Sequence, residues 1–409
     1  MTSVKNSDIH WLGKVASDWE IAPAWRVMKE RGEKSLPDDV HLTPSQTHGV
    51  LTQQDYMDRT GNKVVLNLAG TDNMKRVRAG DFIIHLRSFQ GGIEASAIDG
   101  KVSNAYTVLT PAPDAHFGYY RWFMKSVPLI EGLASSTDQL RDGQSINFSR
   151  FSRLSLPFPP LETQRRIADY LDRETAEIDA AVADLDKYVE LLGRRRKLIV
   201  SSVMTGQMGP ISSDLPAGER ITKTRPLWNH VRIQNGFPFS ADGFSDSGEI
   251  PLLRIRDIRG SSFDTYINRE SIPSDSYIVK NGNLVVGMDG DFNTVRWSRG
   301  DAALNQRVCI IHAKEGTDTR FIEYAIQAPL QLINELKYST TVKHLSHEDI
   351  YRMRVWIPAL ELQEKIADYL DQTTAEIDSL ITESRVLRDL LIKRRSVLIT
   401  EVVTGRKQV

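Results

Sequence analysis

The chain has 409 residues, of which 40 % are hydrophobic and 26 % charged, and its formal net charge is −1. This composition is typical of a folded soluble protein with two or three domains, and it excludes a disordered chain or one with a transmembrane run of ~20 apolar residues. The charge does not indicate a strongly basic nucleic-acid binder, although a net charge says nothing about where the charges lie.

The first residues and the single cysteine both favour a cytoplasmic protein. The start, MTSVKNSDIHWLG, lacks the basic and then apolar pattern of a secretory signal. Cys309 has no second cysteine to pair with and lies in the apolar run RVCIIH. We therefore interpret it as a small buried hydrophobe of a strand and not as a catalytic thiol.

Residues 1–158 predict a first domain of mixed α/β type. The predicted strands are NKVVLNL, GDFIIHL and AYTVLTP, and the predicted helical stretch is YYRWFMKSVPLIEGL. A polar loop follows GDFIIHL, and its arginine and glutamine have the donors and acceptors that read guanine and adenine. The candidate DNA-binding residues of this domain are Arg87, Ser88 and Gln90 of that loop, Thr137, Gln139 and Arg141 of a second polar cluster, and Lys75, Arg76 and Arg78 as a basic patch for phosphates.

Residues 159–206 form the first copy of an internal repeat, and its second copy lies within residues 358–409. The copies align without a gap at an offset of 199 residues, and IADYLD and TAEID are identical in both. Each copy predicts a short amphipathic helix and then a longer one, the first of them from about Ala176 to Val203. Thr-Gly at 205–206 and at 404–405 predicts where each long helix ends.

The longer helices carry apolar residues at steps of three, four or seven. The predicted seams are Ile178, Val182, Leu185, Leu192 and Ile199 in the first copy and Ile377, Ile381, Leu387, Leu391 and Leu398 in the second. A helix with such a seam needs a partner, and the other copy is the obvious one, in an antiparallel pair. The alternative is two separate helices, each packed on its own domain.

Two further features recur at matching places in the copies. Tyr170 and Tyr369 lie on the short helices, where they either bind a partner subunit or complete the intramolecular core. The basic runs at 194–197 and 393–395 lie near phosphates or an acidic partner, or else form a solvated collar on a coiled coil.

Residues 207–357 predict a second domain with the same order of elements but different loops. The predicted strands are IPLLRIRDI, GNLVVGM and RVCIIHA, followed by the helical stretch TRFIEYAIQAPLQLINEL. Arginines two apart on a strand share a face. The candidate DNA-binding residues of this domain are Asp289, Asn293 and Arg296 after GNLVVGM, Arg254, Arg256 and Arg259 alternating along LLRIRDIRG, and Thr340, Thr341, Lys343 and His344 in a polar cluster. For both domains the alternative is ordinary solvated loops and surface ion pairs.

The repeat also carries a family resemblance. The pattern P-P-L-x-x-Q-x-x-I-A-x-x-L-D, followed by a long helix and placed centrally and C-terminally, resembles the conserved regions of type I restriction–modification specificity subunits. The opening IHWLGKVASDWEI is similar to the N-terminal segment of that family. The chain departs from the family at Thr163 and Leu362, where glutamate often precedes the glutamine.

The resemblance implies a fold and a function. The fold is α+β, with two α/β target-recognition domains separated by an antiparallel coiled coil of two long helices and related by a pseudo-two-fold axis. Each domain would read one half of a split site in double-stranded DNA. Two modification subunits would transfer methyl from S-adenosylmethionine to adenine N6, and restriction subunits that hydrolyse ATP can join.

The sequence also predicts that this chain has no catalytic site or cofactor of its own. It contains no phosphate-binding GxxxxGK[ST] loop, no Asn/Asp-Pro-Pro-Tyr/Phe loop of an adenine methyltransferase and no GxSxG elbow. S-adenosylmethionine, ATP and Mg²⁺ are expected in partner subunits. His344 with His347, or Asp289 with Asp291, are the metal-binding alternatives, and we interpret both as polar loops. A fused restriction–methylation enzyme and a coiled-coil scaffold without DNA binding are the competing functions.

Overall fold

The computed structural model describes residues 3–63, 74–135, 146–206, 224–336 and 343–409. The chain divides into two units. Unit 1 comprises Met1–Lys187 and Arg385–Val409, and unit 2 comprises Tyr188–Ser384. The two long helices of the repeat contribute residues to both units.

Unit 1 contains twelve short strands among its described residues. They are β1 Val4–Asn6, β2 Lys14–Ala16, β3 Glu20–Pro23, β4 Met28–Glu30, β5 Leu42–Ser45, β6 Gly49–Thr52, β7 Lys75–Val77, β8 Phe82–Ile84, β9 Glu94–Ala95, β10 Gly100–Val102, β11 Thr107–Pro111 and β12 Ser155–Phe158. Its helices are α1 Ala24–Val27, α2 Gln53–Thr60, α3 Ser88–Gly91, α4 Phe117–Phe123, α5 Val127–Ser135, α6 Phe148–Phe151 and the start of α7 Leu161–Met204.

The main sheet of unit 1 is antiparallel, with the strand order β4-β11-β8-β9. Strands β3 and β12 pair beside it, so the start of the domain is hydrogen-bonded to the strand that leads into α7. A core under the sheet includes Phe82, Tyr119 and Tyr120, all fully buried. Ile167 of α7 joins the same core, and the long helix therefore belongs to the fold of the domain.

Unit 2 repeats the main features of this plan. Its strands are β13 Thr224–Pro226, β14 Val231–Asn235, β15 Ile250–Leu253, β16 Tyr266–Ile267, β17 Ile278–Val279, β18 Leu284–Gly287, β19 Thr294–Arg296, β20 Ala302–Leu304, β21 Val308–Ala313 and β22 Arg354–Trp356. Its helices are α8 Thr319–Ala325, α9 Gln327–Leu336, α10 His347–Arg352 and most of α11 Leu360–Val403. The sheet β14-β21-β18-β19 matches the main sheet of unit 1, and β13 pairs with β22 as β3 pairs with β12.

Most of the predicted strands are confirmed, with two differences. β8, β11, β18 and β21 lie inside the predicted segments, whereas NKVVLNL falls largely outside the described residues. The predicted strand IPLLRIRDI ends at Leu253, because a 3-10 turn over Ile255–Asp257 follows it. Each predicted helical stretch is two helices, α4 and α5 in unit 1 and α8 and α9 in unit 2.

The prediction of a short and then a longer helix in each copy was wrong. α7 and α11 are each one continuous helix of 44 residues, about 66 Å long at ~1.5 Å per residue. Neither proline nor glycine interrupts the stretch around residue 175 or 374, so nothing breaks the helix there. Gly206 and Gly405 have φ values of +70° and +71° just after these helices, as the Thr-Gly stops predicted.

Within each unit the two long helices run antiparallel. In unit 1, Arg395 near the end of α11 pairs with Asp179 in the first half of α7 at 2.8 Å. In unit 2, Arg196 near the end of α7 pairs with Asp378 of α11 at 3.0 Å. Both members of one pair lie 199 positions from those of the other, so the pairing confirms the predicted antiparallel arrangement and its internal symmetry.

The apolar seams are buried at four of the ten predicted positions and half-buried at five. Ile178, Leu192, Ile377 and Leu398 are at most 8 % exposed. Leu387 was assigned wrongly, because it is 49 % exposed.

Candidate nucleic-acid interface

The candidate reading loop of unit 1 follows β8 and includes α3. The side chains of Arg87 and Gln90 are exposed, and neither makes a hydrogen bond or ion pair to another described residue. Ser88 is fully buried instead, and its hydroxyl accepts a hydrogen bond from the His85 amide at 2.9 Å. The structure therefore corrects the assignment of Ser88, which supports the loop from within and leaves Arg87 and Gln90 to face a ligand.

Three contacts hold this loop in place. Gly92 has φ of +83°, and a Cβ there would lie 2.3 Å from the Met124 carbonyl oxygen. Lys125 donates to the Gly91 carbonyl at 3.0 Å and also binds the buried carboxylate of Glu94. A loop fixed at both ends can present its two exposed side chains at a defined spacing, which base recognition requires.

A hairpin that the sequence analysis did not single out lies against this loop. Strands β5 and β6 form the hairpin, and Gln46 at its tip donates to the Arg87 carbonyl at 2.9 Å. The tip residues Gln46, Thr47 and His48 are exposed. The segment PSQTHG is polar and ends in glycine, so the sequence could have predicted the hairpin turn. Its proximity to Arg87 could not be predicted, because the contact joins residues 41 positions apart.

The basic patch on β7 is largely paired within unit 1. Arg78 donates to Glu33 at 2.7 Å, and Arg76 donates to the same carboxylate at 3.1 Å. Hydrogen bonds from Arg78 first, and then from Arg76 and Arg31, hold the pKa of Glu33 below its usual value. Lys75 lies 3.5 Å from Glu30. Phosphate would therefore have to compete with these carboxylates for the three cations.

Some candidate residues cannot be placed. Thr137, Gln139, Arg141, Thr340 and Thr341 lie outside the described residues.

The candidate reading loop of unit 2 follows β18, at the position that matches the loop of unit 1. Asp289 accepts hydrogen bonding from His344 at 2.7 Å and lies 3.5 Å from Arg307. Asp291 is exposed and Asn293 is half-buried beyond it. Asp289 therefore braces the loop, and Asp291 is its exposed side chain.

Side-chain contacts from α9 and from the residue Lys343 hold this second loop. Asn334 donates to the Gly290 carbonyl at 2.6 Å, and Lys343 donates to Asn334 at 2.7 Å. Phe292 has φ of +50°, which is uncommon for a residue with a side chain, and its ring is buried. Strain of this kind persists where the surrounding structure over-determines a conformation, as it does at many binding loops.

The arginines after β15 do not share the face of a strand, because the strand has already ended. Arg254 pairs with Asp257 at 3.1 Å and with Asp264, and Arg256 pairs with Asp264 at 2.8 Å. Arg259 is exposed and makes no such pair with a described residue. Of the three arginines, Arg259 is therefore the one available to a phosphate or base.

Arg259 borders an open cleft of about 490 Å³ in unit 2. The cleft is also lined by Asp291 and Phe292 of the reading loop, by Asn334 of α9 and by Lys197 of α7. It therefore brings one exposed arginine, the reading loop and two residues of the basic run, Arg196 and Lys197, to a common surface.

Arg296 lies on β19 and binds a helix residue rather than solvent. Its guanidinium donates to both carboxylate oxygens of Asp371, at 2.9 and 2.8 Å. Tyr324 donates to the same carboxylate at 2.7 Å. The structure therefore corrects the assignment of Arg296, which anchors the sheet to α11.

In each unit, one buried glutamine joins the domain to its copy of the repeat. The sequence analysis missed the role of these two residues. In unit 1, Gln164 accepts from the His116 amide at 2.6 Å and donates to the carbonyls of Pro159 and Asp114 at 2.8 and 3.0 Å. The amide that it satisfies lies at the start of α4, where backbone N–H groups lack intrahelical partners.

The equivalent residue in unit 2 makes the same three contacts. Gln363 accepts from the Asp318 amide at 3.0 Å and donates to the carbonyls of Pro358 and Gly316 at 2.8 and 3.2 Å. Both glutamine side chains are fully buried. We call these two sets of contacts the glutamine clasps, and they explain why the glutamine of the repeat is present in both copies.

The tyrosines and basic runs of the repeat are partly engaged within their own units. Tyr170 is half-buried and accepts from Lys407 at 2.8 Å, and Tyr369 is half-buried against the core of unit 2. Arg196 and Arg395 form the interhelical pairs described above. These contacts favour the core and collar interpretations, and partner binding by the tyrosines stays a prediction.

The structure bears on the remaining chemical alternatives. Burial raises the pKa of the Cys309 thiol to about 12, so it is not a nucleophile at neutral pH. His344 binds Asp289 while His347 binds Asn235, so the two histidines do not converge. Across the described ranges, no three His, Cys, Asp or Glu residues are arranged to hold a metal ion, and no helix is long and apolar enough to cross a membrane.

These features define a class of protein: two α/β domains with matching sheets and differing loops, each clasped to one copy of a helical repeat. The model of the type I restriction modification DNA specificity domain matches residues 37–183 and 229–385. The chain therefore belongs to the family of type I restriction–modification specificity proteins, as the resemblance predicted.

Curated relatives carry the same description. The specificity subunit of the type I restriction enzyme EcoBI from Escherichia coli is 38 % identical over 178 residues, which are 43 % of this chain and 37 % of that protein. The MjaVIII specificity subunit of Methanocaldococcus jannaschii is 22 % identical over 285 residues, 63 % of each chain. The EcoKI subunit of Escherichia coli K12 is 23 % identical, over 67 % of this chain and 62 % of that one. The chain thus spans less than two thirds of each relative, and all three are named specificity subunits rather than catalytic ones.

Solved structures share the fold. A chain from a study of complex assembly and conformational transition of the type I restriction–modification system superposes with a TM-score of 0.68, covering 96 % of this chain and 99 % of that one at 14 % identity. The HsdS subunit of Thermoanaerobacter tengcongensis gives a TM-score of 0.53 over 96 % and 98 % at 14 % identity. The predicted fold class is confirmed.

Proposed function

We propose that this chain reads a bipartite site in double-stranded DNA and positions adenine-N6 methyltransferase subunits, and restriction subunits where present, on it. Each domain reads one half of the site, and the length of the antiparallel helix pair sets the unread gap. S-adenosylmethionine, ATP and Mg²⁺ belong to the partner subunits, and the complex works in the cytoplasm.

One observation carries this proposal. Equivalent strands, β8 and β18, each end in a braced loop at the same place in the sheet, but the exposed side chains differ. The loop of unit 1 presents Arg87 and Gln90, whereas that of unit 2 presents the exposed Asp291 and the half-buried Asn293, with the exposed Arg259 beside Asp291 on the cleft. A reader of two unlike half-sites needs a repeated support and different contact residues.

The side chains suit their assigned bases. Arginine can donate to guanine O6 and N7, glutamine and asparagine can bind adenine in a bidentate way, and a carboxylate can accept from cytosine N4. The tip of the β5–β6 hairpin adds Thr47 and His48 to the reading surface of unit 1. Arg78 and Lys75 of unit 1 contribute phosphate contacts, exchanging Glu33 and Glu30 for the DNA backbone.

The test is methylation mapping in cells that co-express this chain with its methyltransferase subunit. Sequencing should show methyladenine in a split motif with a fixed gap. The Arg87→Ala and Gln90→Ala variants should each relax the base preference of one half of the motif only. The Asn293→Ala and Arg259→Ala variants should each relax the base preference of the other half only. Removal of one base-reading side chain should weaken discrimination at its base pair by about 1–3 kcal/mol.

Ser88→Ala is the matched comparison in the first loop: its buried hydroxyl accepts from the His85 amide, so this variant should lower the stability of the loop without removing a side chain that faces DNA. Methylation by this chain without a partner would refute the proposal, as would a motif that stays the same in all four variants. Removing seven residues from each long helix at equivalent positions should shorten the gap, and an unchanged gap would refute the ruler role of the helices.

A further inference from the structure

Two tryptophans of the chain are exposed at matching positions. Trp25 in α1 of unit 1 is 60 % exposed, and Trp228 in the 3-10 turn before β14 of unit 2 is 55 % exposed. The residues immediately before them, Ala24 and Leu227, are fully buried. Each indole therefore projects from a well-packed turn into solvent, with its apolar face and its N–H group both available to a partner.

Hydrogen bonding shows that the two positions are equivalent. The Ala24 amide donates to the Leu154 carbonyl at 2.7 Å, and the Leu227 amide donates to the Met353 carbonyl at 3.0 Å. The two acceptors are 199 residues apart, which is the offset of the repeat. The tryptophans therefore occupy the same site in the fold of the two units, although the surrounding loops differ.

In unit 1 the tryptophan lies at the end of the sheet opposite the reading loop. Met28, just after α1, is paired with Pro111 of β11, whereas Ile84, just before the reading loop, is paired with Thr107. Four residues along β11 separate these levels, about 13 Å at ~3.3 Å per residue.

Unit 2 has the same separation. Val231, three residues after Trp228, is paired with Ala313, whereas Gly287 at the reading loop is paired with Val308. These levels are five residues apart on β21, about 17 Å by the same rise. DNA in contact with the reading loops would therefore lie at the other end of each sheet from the indole.

The surroundings of the indole in unit 2 are basic. Arg225, Lys314 and Arg354 are exposed near Trp228, and Lys314 donates to its carbonyl at 2.8 Å. In unit 1, Arg26 next to Trp25 pairs with Asp114 at 3.1 Å, and the exposed Arg153 adjoins the Leu154 carbonyl that binds the turn. An occupant of both sites therefore has an apolar pocket for the indole, with acidic residues facing the cations beside Trp228.

We infer that Trp25 and Trp228 are equivalent docking anchors for two copies of one protein partner. The inference rests on the proposed function, in which that partner is the methyltransferase subunit. Identical anchors suit one partner bound twice, whereas two unlike DNA half-sites call for different residues. Tryptophan and arginine are also among the residues enriched at the energetic centres of protein interfaces.

The test uses the full chain, its Trp25→Ala and Trp228→Ala variants and the double variant. Native mass spectrometry with the purified methyltransferase subunit should give two bound copies for the wild type, one for each single variant and none for the double variant, with at least a tenfold loss of affinity at each altered site. Leu86→Ala in unit 1 and Leu336→Ala in unit 2 are controls, since these residues are 51 % and 72 % exposed and lie elsewhere. Both should keep two copies.

The outcomes separate this inference from the proposed function. Two copies bound to the double variant at wild-type affinity would overturn the inference alone. Loss of DNA affinity with two partner copies retained would also overturn it, in favour of indoles that stack on nucleic acid. A wild-type chain that binds no methyltransferase subunit would overturn the partner role in the proposed function as well.

Discussion

Unit 1 and unit 2 have the same sheet and the same contacts to the helical repeat, but their reading loops differ. The contacts that hold the shared part are of a different kind from those that shape the loops. The shared contacts are made to backbone atoms, as in the glutamine clasps and in the paired strands at the start and end of each domain. The contacts that shape the reading loops are specific to one unit: Gly92 packs against backbone in unit 1, whereas Asp289 binds His344 in unit 2. Backbone contacts survive changes of sequence, so a duplicated fold can keep its support while its loops diverge.

The largest expected difference between the loops concerns two glycines with positive φ. Gly92→Ala should destabilise unit 1 by about 3 kcal/mol or more, because the new Cβ would lie 2.3 Å from the Met124 oxygen. Gly290→Ala should cost only about 1–2 kcal/mol, because its Cβ would meet open space and only the backbone conformation is unfavourable. Urea unfolding of both variants measures the difference, and equal losses would show that the loops are held in the same way.

The glutamine clasps should be equivalent in the two units. Gln164→Ala and Gln363→Ala should each destabilise their unit by about 2–3 kcal/mol, because each leaves a buried amide and buried carbonyls without partners. Hydrogen exchange should quicken around residues 114–120 in the first variant and around 316–322 in the second, and not in the other unit. The exposed Gln90→Ala is a control for loss of a glutamine. Protection that is unchanged at these amides would contradict the clasp.

Asp371 makes the stability of unit 2 depend on pH in the acid range. Burial raises its pKa, but hydrogen bonds from Arg296 and Tyr324 more than offset this, so its pKa lies below the ordinary value. A depressed pKa contributes stability that is present above the unfolded-state value near 3.8 and is lost as pH falls through the folded-state value. Asp371→Asn should therefore cost about 1–2 kcal/mol at pH 7, and the difference from the wild type should shrink below about pH 4.

Urea midpoints of the wild type and of Asp371→Asn at pH 7, 5 and 3 provide the measurement. Asp389→Asn, at an exposed site on the same helix, is the control for the substitution itself and is measured at the same three pH values. A constant difference between wild type and Asp371→Asn across this range would rule out the ionised carboxylate as the source.

The smallest expected effects belong to the interhelical ion pairs. Arg395→Ala in unit 1 and Arg196→Ala in unit 2 should each cost less than about 1 kcal/mol, because their partners Asp179 and Asp378 are more than half exposed. Double-mutant cycles with Asp179→Ala and Asp378→Ala measure each coupling. A coupling above about 2 kcal/mol in one unit only would show that the two helix contacts are not equivalent.

Much of the fold was predictable because the repeat is long and strongly periodic. The antiparallel pairing, most seam residues and the strands that deliver the reading loops followed from apolar spacing. The predicted boundary between a short and a long helix near residue 175 was wrong. A change in the apolar pattern does not interrupt a helix unless proline, glycine or a capping residue is present. Leu387 was misassigned because the seam drifts around a straight helix over several turns.

The candidate site was less predictable, because side-chain partners come from distant parts of the chain. Arg296 and Ser88 have the residue types of a DNA contact, but Asp371 and the His85 amide take up their polar groups. Gln46 meets Arg87 across 41 residues, which no local pattern reveals. The matching glutamines were visible in the repeat, but their role needed the position of the α4 and α8 amides.

The glutamine clasps have a consequence for how such proteins change. Each clasp recognises only main-chain groups: one amide and one carbonyl before α4 or α8, and the carbonyl of the proline at 159 or 358. A domain from another gene that makes the same turn would form the same hydrogen bonds with the glutamine, whatever side chains it carries at that turn. Because the clasps themselves impose no requirement on side chains, genetic recombination at these prolines can exchange a domain for another one that makes the same turn.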